Sequence, residues 1–546
     1  MSGPAGASGV PGANGSLWVR LEAWWRLHVV PAALIVLLCS VAVDLSEVLG
    51  CSLRPDEAFL FTTANGDGFV AAYLKSRTHP HPPLYVLLLH AVLAVGNDEF
   101  VLRLPSLVAG TLASWVAFRW LQRAAGDAAA LLGLALLAFS PAMVAAASEA
   151  RQYALLLLFL TAALYCMERF LGGRSAAWGA GYAGALWGAI LTHYTAAWVT
   201  VAVGVYVPLR LWRDRLPRAL WVVWLGSQAG AAVLYVWLYR THLAWLRGSA
   251  NASQAMSGWL EPYYYQPGEP VVSFVASAIA GAFQYIAGGR LAGLLVLACF
   301  AMGLVLILFR ALGGGTDEGG PRARDGATRV RRDYALLLSL PLVIGCAGAV
   351  IRVLPFGNTR HVAYLLPFVA AAAAVGVAGM PRAPLRVLMG AGLLLVWLWA
   401  GRAAPASDAC RLARTDVFAA LRYLQTAAPQ DATVFVDGQT HLVLWYYLAP
   451  TQSALSVQRH QTVNETPLGG YRVMSLERSW SFAPEGMLAD LRTLAAALGL
   501  RPDDAIWVVA LGWDHPDVGS QLPPQALLER RNFGRITVLK VAAERW

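Results

Sequence analysis

Charge is what this sequence has least of. Of 546 residues only 14% are Asp, Glu, Lys or Arg, against about a quarter in ordinary soluble domains. Meanwhile 58% are hydrophobic, and the mean hydropathy is +0.52. That shortage excludes an ordinary water-soluble protein and an intrinsically disordered chain. Lysine is scarcer still, since 40 of the 42 basic residues are arginine. The net charge of +10 is scattered between apolar runs instead of forming one patch, so it reads as a topology signal and not as a nucleic-acid surface. Cysteine is sparse: Cys39, Cys51, Cys166, Cys299, Cys346 and Cys410 show no CxxC or Cys/His spacing, which argues against a structural zinc site or a disulfide framework. No repeat of solenoid period is present. A small-residue cleavage pattern is also missing after the first apolar run, Val29 to Val43, which ends in Asp44-Leu45-Ser46-Glu47. Preceded by Arg20, Arg26 and His28, that run is expected to be an uncleaved first span.

What is present is a series of apolar segments, each near the roughly 20 residues that cross a bilayer. Eleven are expected as spans: 28–45, 104–121, 127–147, 152–171, 176–192, 194–211, 219–239, 291–311, 334–353, 362–380 and 384–401. Two more, 82–95 and 270–288, are short or broken and are expected to lie in or dip into the outer interface. With a cytoplasmic N-terminus, this alternation puts Arg119 and Arg123, Arg169 and Arg174, Arg210 to Arg218, Arg322 to Arg332, and Arg382 with Arg386 on the inside, as the positive-inside rule requires. The chain thus divides into a cytoplasmic tail at 1–27, a membrane domain at 28–401 with a long first outer loop at 46–103, and an outer domain at 402–546. The last is expected to be a small soluble α/β unit, with a helix at 416–428 and strands at Thr433 to Val436, Ile506 to Leu511 and Ile536 to Val541.

The scarce ionisable residues of the membrane half gather on the outer face. Asp56-Glu57 stands about a dozen residues beyond the first span, where partial desolvation can raise a carboxylate toward general-base range. Alone it is more readily a solvated acidic pair on a loop. On the same loop, Pro82-Pro83 fixes a helix start and aims His79 and His81 from a rigid corner. Glu149 and Arg151 fill the turn Ser148-Glu149-Ala150-Arg151-Gln152-Tyr153 between two spans. They are either a mutual helix-capping ion pair or functional groups, since a charge at bilayer depth costs about 2.5–3.5 kcal/mol to insert. His193-Tyr194 interrupts an otherwise continuous apolar stretch, and Arg360-His361 opens a late span on the same side. An arginine there can hold a phosphate through paired hydrogen bonds. Together these groups suit a substrate with a lipid tail, an anionic link and a polar head.

The pattern Asp56-Glu57-Ala58, His81-Pro82-Pro83-Leu84-Tyr85, Glu99-Phe100, Arg103-Leu104-Pro105-Ser106, Gly110, Ser140-Pro141 and Ser148 to Tyr153 resembles the GT-C superfamily of polyprenyl-phosphate-sugar glycosyltransferases. Its bacterial members similar to protein O-mannosyltransferases and the lipid A aminoarabinose transferase show the likeness over about 28–210. The resemblance implies an α-helical polytopic membrane fold, an outward cavity at the extracytoplasmic face of a bacterial inner membrane, and inverting transfer from a lipid-phosphate sugar. It implies Asp56 as the catalytic carboxylate, with Glu57 and Glu149 as its acidic companions. His79, His81, Arg151, Tyr153, Tyr194, Arg360 and His361 are then expected to bind substrate. Some relatives bind a divalent metal and others need none, and His81 with His193 are the candidate ligands here. The acceptor is left as a glycan, lipid or protein. A flippase of lipid-linked saccharides needs the same cavity without a catalytic carboxylate, but the polar residues concentrate on one face instead of in mid-membrane broken helices, which favours the enzyme.

Overall fold

The computed structural model describes residues 17–77, 79–246, 260–310, 332–380, 382–403, 412–451, 457–460, 463–476, 487–498, 504–511 and 522–542. The N-terminal tail to residue 16, the arginine-rich segment 322–331 and Cys410 lie outside them. The chain opens with α1 (Leu17–Gly50), which runs through Asp44 and Glu47 without a break. The first outer loop then folds into α2 (Pro55–Ala64), α3 (Phe69–Ser76) and α4 (Leu84–Val92). The bundle continues with α5 (Glu99–Ala125), α6 (Asp127–Ala138), α7 (Pro141–Ser148), α8 (Tyr153–Gly173), α9 (Ala176–Thr192), α10 (Ala196–Arg213) and α11 (Arg218–Leu238). It is completed by α12 (Val271–Ala287), α13 (Arg290–Arg310), α14 (Asp333–Val350), α15 (Leu366–Ala378) and α16 (Ala383–Ala403).

Among the described residues, seven helices are long and apolar enough to cross a membrane, or eight if α6 and α7 count as one broken span. The eleven expected stretches are all helical at their centres, but several are shorter or more polar than a full span. The stretch 127–147 is bent by 59°, because Pro141 starts a new helix and Ser140 turns its hydroxyl to the Ile286 carbonyl at 2.7 Å. The segment 82–95 becomes the short α4, which packs on α2, and 270–288 becomes the 17-residue α12.

Burial sorts the helices. The span containing α11 is 17% buried and shows Val222 and Val233 outward, whereas the one containing α15 is 89% buried and fills the centre. Its run Ala370–Ala374 has side chains small enough for α13 to approach its backbone. Gly303 is the point of closest approach: a Cβ there would lie 2.0 Å from the Ala372 carbonyl oxygen.

Among the described residues, the C-terminal domain is built on one seven-stranded mixed sheet, in the order β2-β3-β4-β1-β5-β7-β6. Central β1 (Thr433–Val436) runs parallel to both β4 (Tyr471–Leu476) and β5 (Ala505–Ala510). β2 (Gln458–His460) and β3 (Val463–Leu468) extend one side in antiparallel fashion, and β6 (Leu527–Phe533) and β7 (Ile536–Ala542) the other. All four residues of β1 are buried, as expected for a strand covered on both faces. Helices α17 (Arg414–Ala427), α18 (Gly438–Leu448) and α19 (Met487–Leu498) complete the unit.

This domain is fastened to the first outer loop. The backbone of Ser52 donates to Leu412 at 3.0 Å, Cys51 pairs with Ala413, and the Tyr446 hydroxyl reaches the Asn97 carbonyl at 2.9 Å. Tyr447 accepts from the Leu53 N–H at 2.9 Å and donates to the Glu99 carboxylate. Cys51 is disulfide-bonded, while Cys39, Cys166, Cys299 and Cys346 are free.

Replacing Gly303 with alanine should cost about 1–3 kcal/mol through overpacking. By contrast Gly226→Ala on α11, where a Cβ meets nothing within 4 Å, should be neutral or slightly stabilising. Thermal unfolding of the two variants in detergent compares them directly.

Candidate active site

The site is organised by the first turn of α2. Pro55 occupies its first position with a φ already suited to a helix, so Asp56 and Glu57 leave the same turn in different directions. Glu57 points inward and is fully buried. Its carboxylate accepts from the Arg54 N–H at 3.0 Å, the Ala150 N–H at 2.7 Å, and Arg103 Nε and Nη2 at 2.9 and 2.8 Å. Arg103, from α5, spends its remaining N–H groups on the carbonyls of Val48, Cys51 and Ser52. Both ions are completely hydrogen-bonded, which is what a buried pair requires to be tolerated.

Asp56 faces the other way. Its Oδ2 is gripped by Arg360 Nη1 at 2.6 Å and by Arg151 Nη1, and a third of its side chain is exposed. Arg151 also approaches His81 Nε2 at 3.5 Å and lies over the Tyr153 ring. Glu149 is held by Arg54 Nη1 at 2.6 Å, so its partner is the arginine preceding the acidic pair and not Arg151 two residues along. The turn 148–153 is pinned by the Ser106 hydroxyl, which donates to the Arg151 carbonyl and receives the Tyr85 hydroxyl. Asp56, Glu149, Arg151 and His81 therefore converge, as do the first and second outer loops.

Beside Asp56 runs a row of imidazoles. His79 and His81 have ring centroids 5.1 Å apart, His81 and His193 5.0 Å, and His193 and His361 6.1 Å. Tyr153 lies 5.1 Å from His193 and 6.4 Å from His81. The Thr195 N–H donates to His193 Nδ1 at 3.2 Å, which leaves the ring proton of neutral His193 on Nε2. The Thr359 hydroxyl lies 2.9 Å from His361 Nδ1. Buried but without a hydrogen-bond partner among the described residues are His79 Nδ1, His81 Nδ1, His193 Nε2, Arg151 Nε and the hydroxyls of Tyr153 and Tyr194.

Electrostatics separates these groups. Burial alone would raise the Asp56 pKa, but the guanidiniums of Arg151 and Arg360 outweigh it and hold the carboxyl well below its usual range. Burial opposes the charge on Glu57 too, and Arg103 prevails. Burial, reinforced by Arg151, pushes His79 and His193 down to about 3, and burial with the neighbouring histidines and Arg151 keeps His81 well below its ordinary value. The imidazoles are neutral. As for a divalent ion, no group of three or more His, Cys, Asp or Glu side chains among the described residues is placed to hold one. The open carboxylate is committed to two arginines, so the donor set around His81 and His193 does not fit.

Arg54 and Arg103 escaped a role in the sequence reading. Their signal is an arginine placed next to a carboxylate or inside an apolar span, where a charge has to find a partner.

A family described as dolichyl-phosphate-mannose-protein mannosyltransferase matches residues 80–242. No curated protein matches this chain by sequence. Among solved structures, ArnT from Cupriavidus metallidurans in the apo state superposes with a TM-score of 0.53 at 14% identity, covering 96% of this chain and 99% of that one. The chain has the fold of ArnT. ArnT bound to undecaprenyl phosphate is similar at a TM-score of 0.51 and 14% identity, over 95% and 98% of the two chains. Family match and fold together bear out the resemblance to the membrane glycosyltransferases.

Two outcomes follow from this geometry. Arg103→Met leaves the Glu57 charge buried without its partner and should lower stability by roughly 3–5 kcal/mol, read from thermal unfolding. Second, His79 and His193 have folded pKa values below their ordinary 6.5, so below that pH the unfolded chain binds more protons than the folded one. Stability should fall as pH drops from about 6.5 toward 5. Carboxylate protonation adds to this only in more acidic buffer, so a melting-temperature series from pH 7.5 to 5 should be flatter for His193→Asn.

Proposed function

We propose that this protein transfers a sugar from a polyprenyl-phosphate donor to an acceptor hydroxyl at the extracytoplasmic face of a bacterial inner membrane, with Asp56 as general base. One observation carries the reading: of the three acidic side chains gathered at the site, Asp56 is a third exposed while Glu57 and Glu149 are 0% and 11% exposed. Only Asp56 combines access from outside with two guanidiniums beside it. ArnT, whose fold is shared, is known bound to undecaprenyl phosphate, and a lipid phosphate is the anion that such a pair of arginines suits.

Asp56 in its resting state is a weak base because Arg151 and Arg360 stabilise its negative charge. A donor phosphate draws those guanidiniums to itself and adds a negative charge nearby. Both effects raise the Asp56 pKa, so the carboxylate becomes a stronger base when donor is bound. The acceptor O–H proton passes to Asp56 as the acceptor oxygen bonds to the anomeric carbon. The bond from that carbon to the phosphate oxygen breaks, and the departing electron pair is stabilised by Arg151 and Arg360. Inversion follows from attack opposite the leaving group. Glu57 acts through position, by anchoring the helix that presents Asp56, and Glu149 by holding Arg54.

Asp56→Asn keeps the shape and removes the base. Turnover with a lipid-phosphate sugar should drop by at least about 10²-fold with membrane insertion unchanged, measured by mass detection of product. Near-normal turnover contradicts the assignment of Asp56 as the base.

A further inference from the structure

The end of the bundle opposite Asp56 carries a cluster of unbalanced charge. Helix α10 begins just beyond His193 and runs for 18 residues to Arg213, about 27 Å, so the turn that joins it to α11 stands at the far face. That turn reads Trp212-Arg213-Asp214-Arg215-Leu216-Pro217-Arg218. Its single acid, Asp214, receives Arg210 Nε at 3.2 Å, and Arg210 is buried. Arg213, Arg215 and Arg218 are exposed and make no ion pair or side-chain hydrogen bond among the described residues.

The backbone does not ask for these cations. Arg215 has a left-handed φ of 46°, and the Leu216 N–H returns to the Leu211 carbonyl at 3.0 Å, the closure at which helices usually place glycine. Arg218 is the first residue of α11, which has neither an acidic residue in its first turn nor a side-chain cap. The opening N–H groups of a helix carry partial positive charge, so a cation there has the unfavourable sign. An anion over the turn satisfies those N–H groups and the guanidiniums together.

Apolar surface leads to the same place. Along α11 the outward residues recur at Arg218, Val222, Leu225, Ala229, Val233 and Val236, one helical stripe with Arg218 at its head. On α10, Val201 and Val205 are outward, and Trp212 closes that helix 73% exposed, a residue suited to the boundary between acyl chains and headgroups. A lipid whose tails lie on Val222 and Leu225 presents its phosphate at the level of Arg218. We infer that this turn binds an anionic glycerophospholipid of the leaflet opposite Asp56, its tails against α11 and its phosphate held by Arg215 and Arg218 with Arg213 beside them. A zwitterionic headgroup brings a positive charge back to a cluster of cations and binds less well.

The test uses the full-length protein in detergent at low ionic strength, titrated with phosphatidylglycerol or phosphatidylcholine and read by native mass spectrometry. Phosphatidylglycerol should be retained about fivefold more than phosphatidylcholine. Arg215→Gln combined with Arg218→Gln should lower its binding about tenfold. Arg123→Gln combined with Arg174→Gln removes the same charge from two other turns at that end of the bundle, and should lower binding by less than about twofold. Equal retention of the two lipids by the wild type, equal losses in the two double variants, or no loss in the first overturns the site. Inorganic phosphate at matched ionic strength should leave the lipid bound; displacement would mark a free-anion site and overturn the lipid assignment. Unchanged melting in lipid-free detergent shows that the variants are folded. If the first double variant is not, Arg218→Gln alone is read against Arg174→Gln by the same criterion.

Discussion

The ion pair between Glu57 and Arg103 is the constraint on which the outer half of this protein depends. Four N–H groups converge on one carboxylate, and the arginine that supplies two of them also ties down the carbonyls of Val48, Cys51 and Ser52. One charged node thereby joins the end of α1, the start of α2, helix α5 and the turn 148–153. Buried pairs of this kind add little net stability compared with apolar packing, but they penalise every arrangement that leaves one member unpaired. Here that selectivity fixes the first turn of α2, and with it the direction in which the adjacent Asp56 points. Two neighbouring acids thus differ in setting: one is enclosed and holds geometry, while the other is open and is the one proposed as the base.

The outer domain adds to the same device from above. Tyr447 bridges Leu53 and Glu99, one residue before Arg54 and one turn before Arg103. Arg414 also reaches Glu99, at 3.3 Å. The sheet domain therefore braces both sides of the helix that carries Asp56. It does so through backbone, tyrosine and arginine contacts that leave the exposed side of Asp56 uncovered by any of the bonds described.

Much of this was legible in the sequence, for a physical reason. A bilayer makes each charge expensive, so the few ionisable residues near the outer ends of the spans had to mean something, and Asp56, Glu149, Arg151, His81, His193 and Arg360 do come together. Alternating and continuous apolar runs likewise revealed the helix at 416–428 and the strands β1, β5 and β7 to within about two residues. The span count was less legible. Apolar length alone cannot show that Pro141 breaks the stretch 127–147. Partner choice was illegible too: Glu149 and Arg151 are adjacent enough to suggest a mutual pair, yet each bonds across to α2, a matter of tertiary geometry that no local pattern encodes. The Cys51 disulfide was hidden for the same reason.

The central claim is that Asp56 and the donor phosphate compete for Arg151 and Arg360, so that binding the donor turns Asp56 into a base. Affinity for undecaprenyl phosphate, measured on the wild type and on Asp56→Asn by calorimetry or fluorescence, tests it most directly. If the two compete, removing the aspartate charge should tighten lipid-phosphate binding several-fold. Weaker or unchanged binding by Asp56→Asn would contradict the account, because the arginines would then owe nothing to the carboxylate between them.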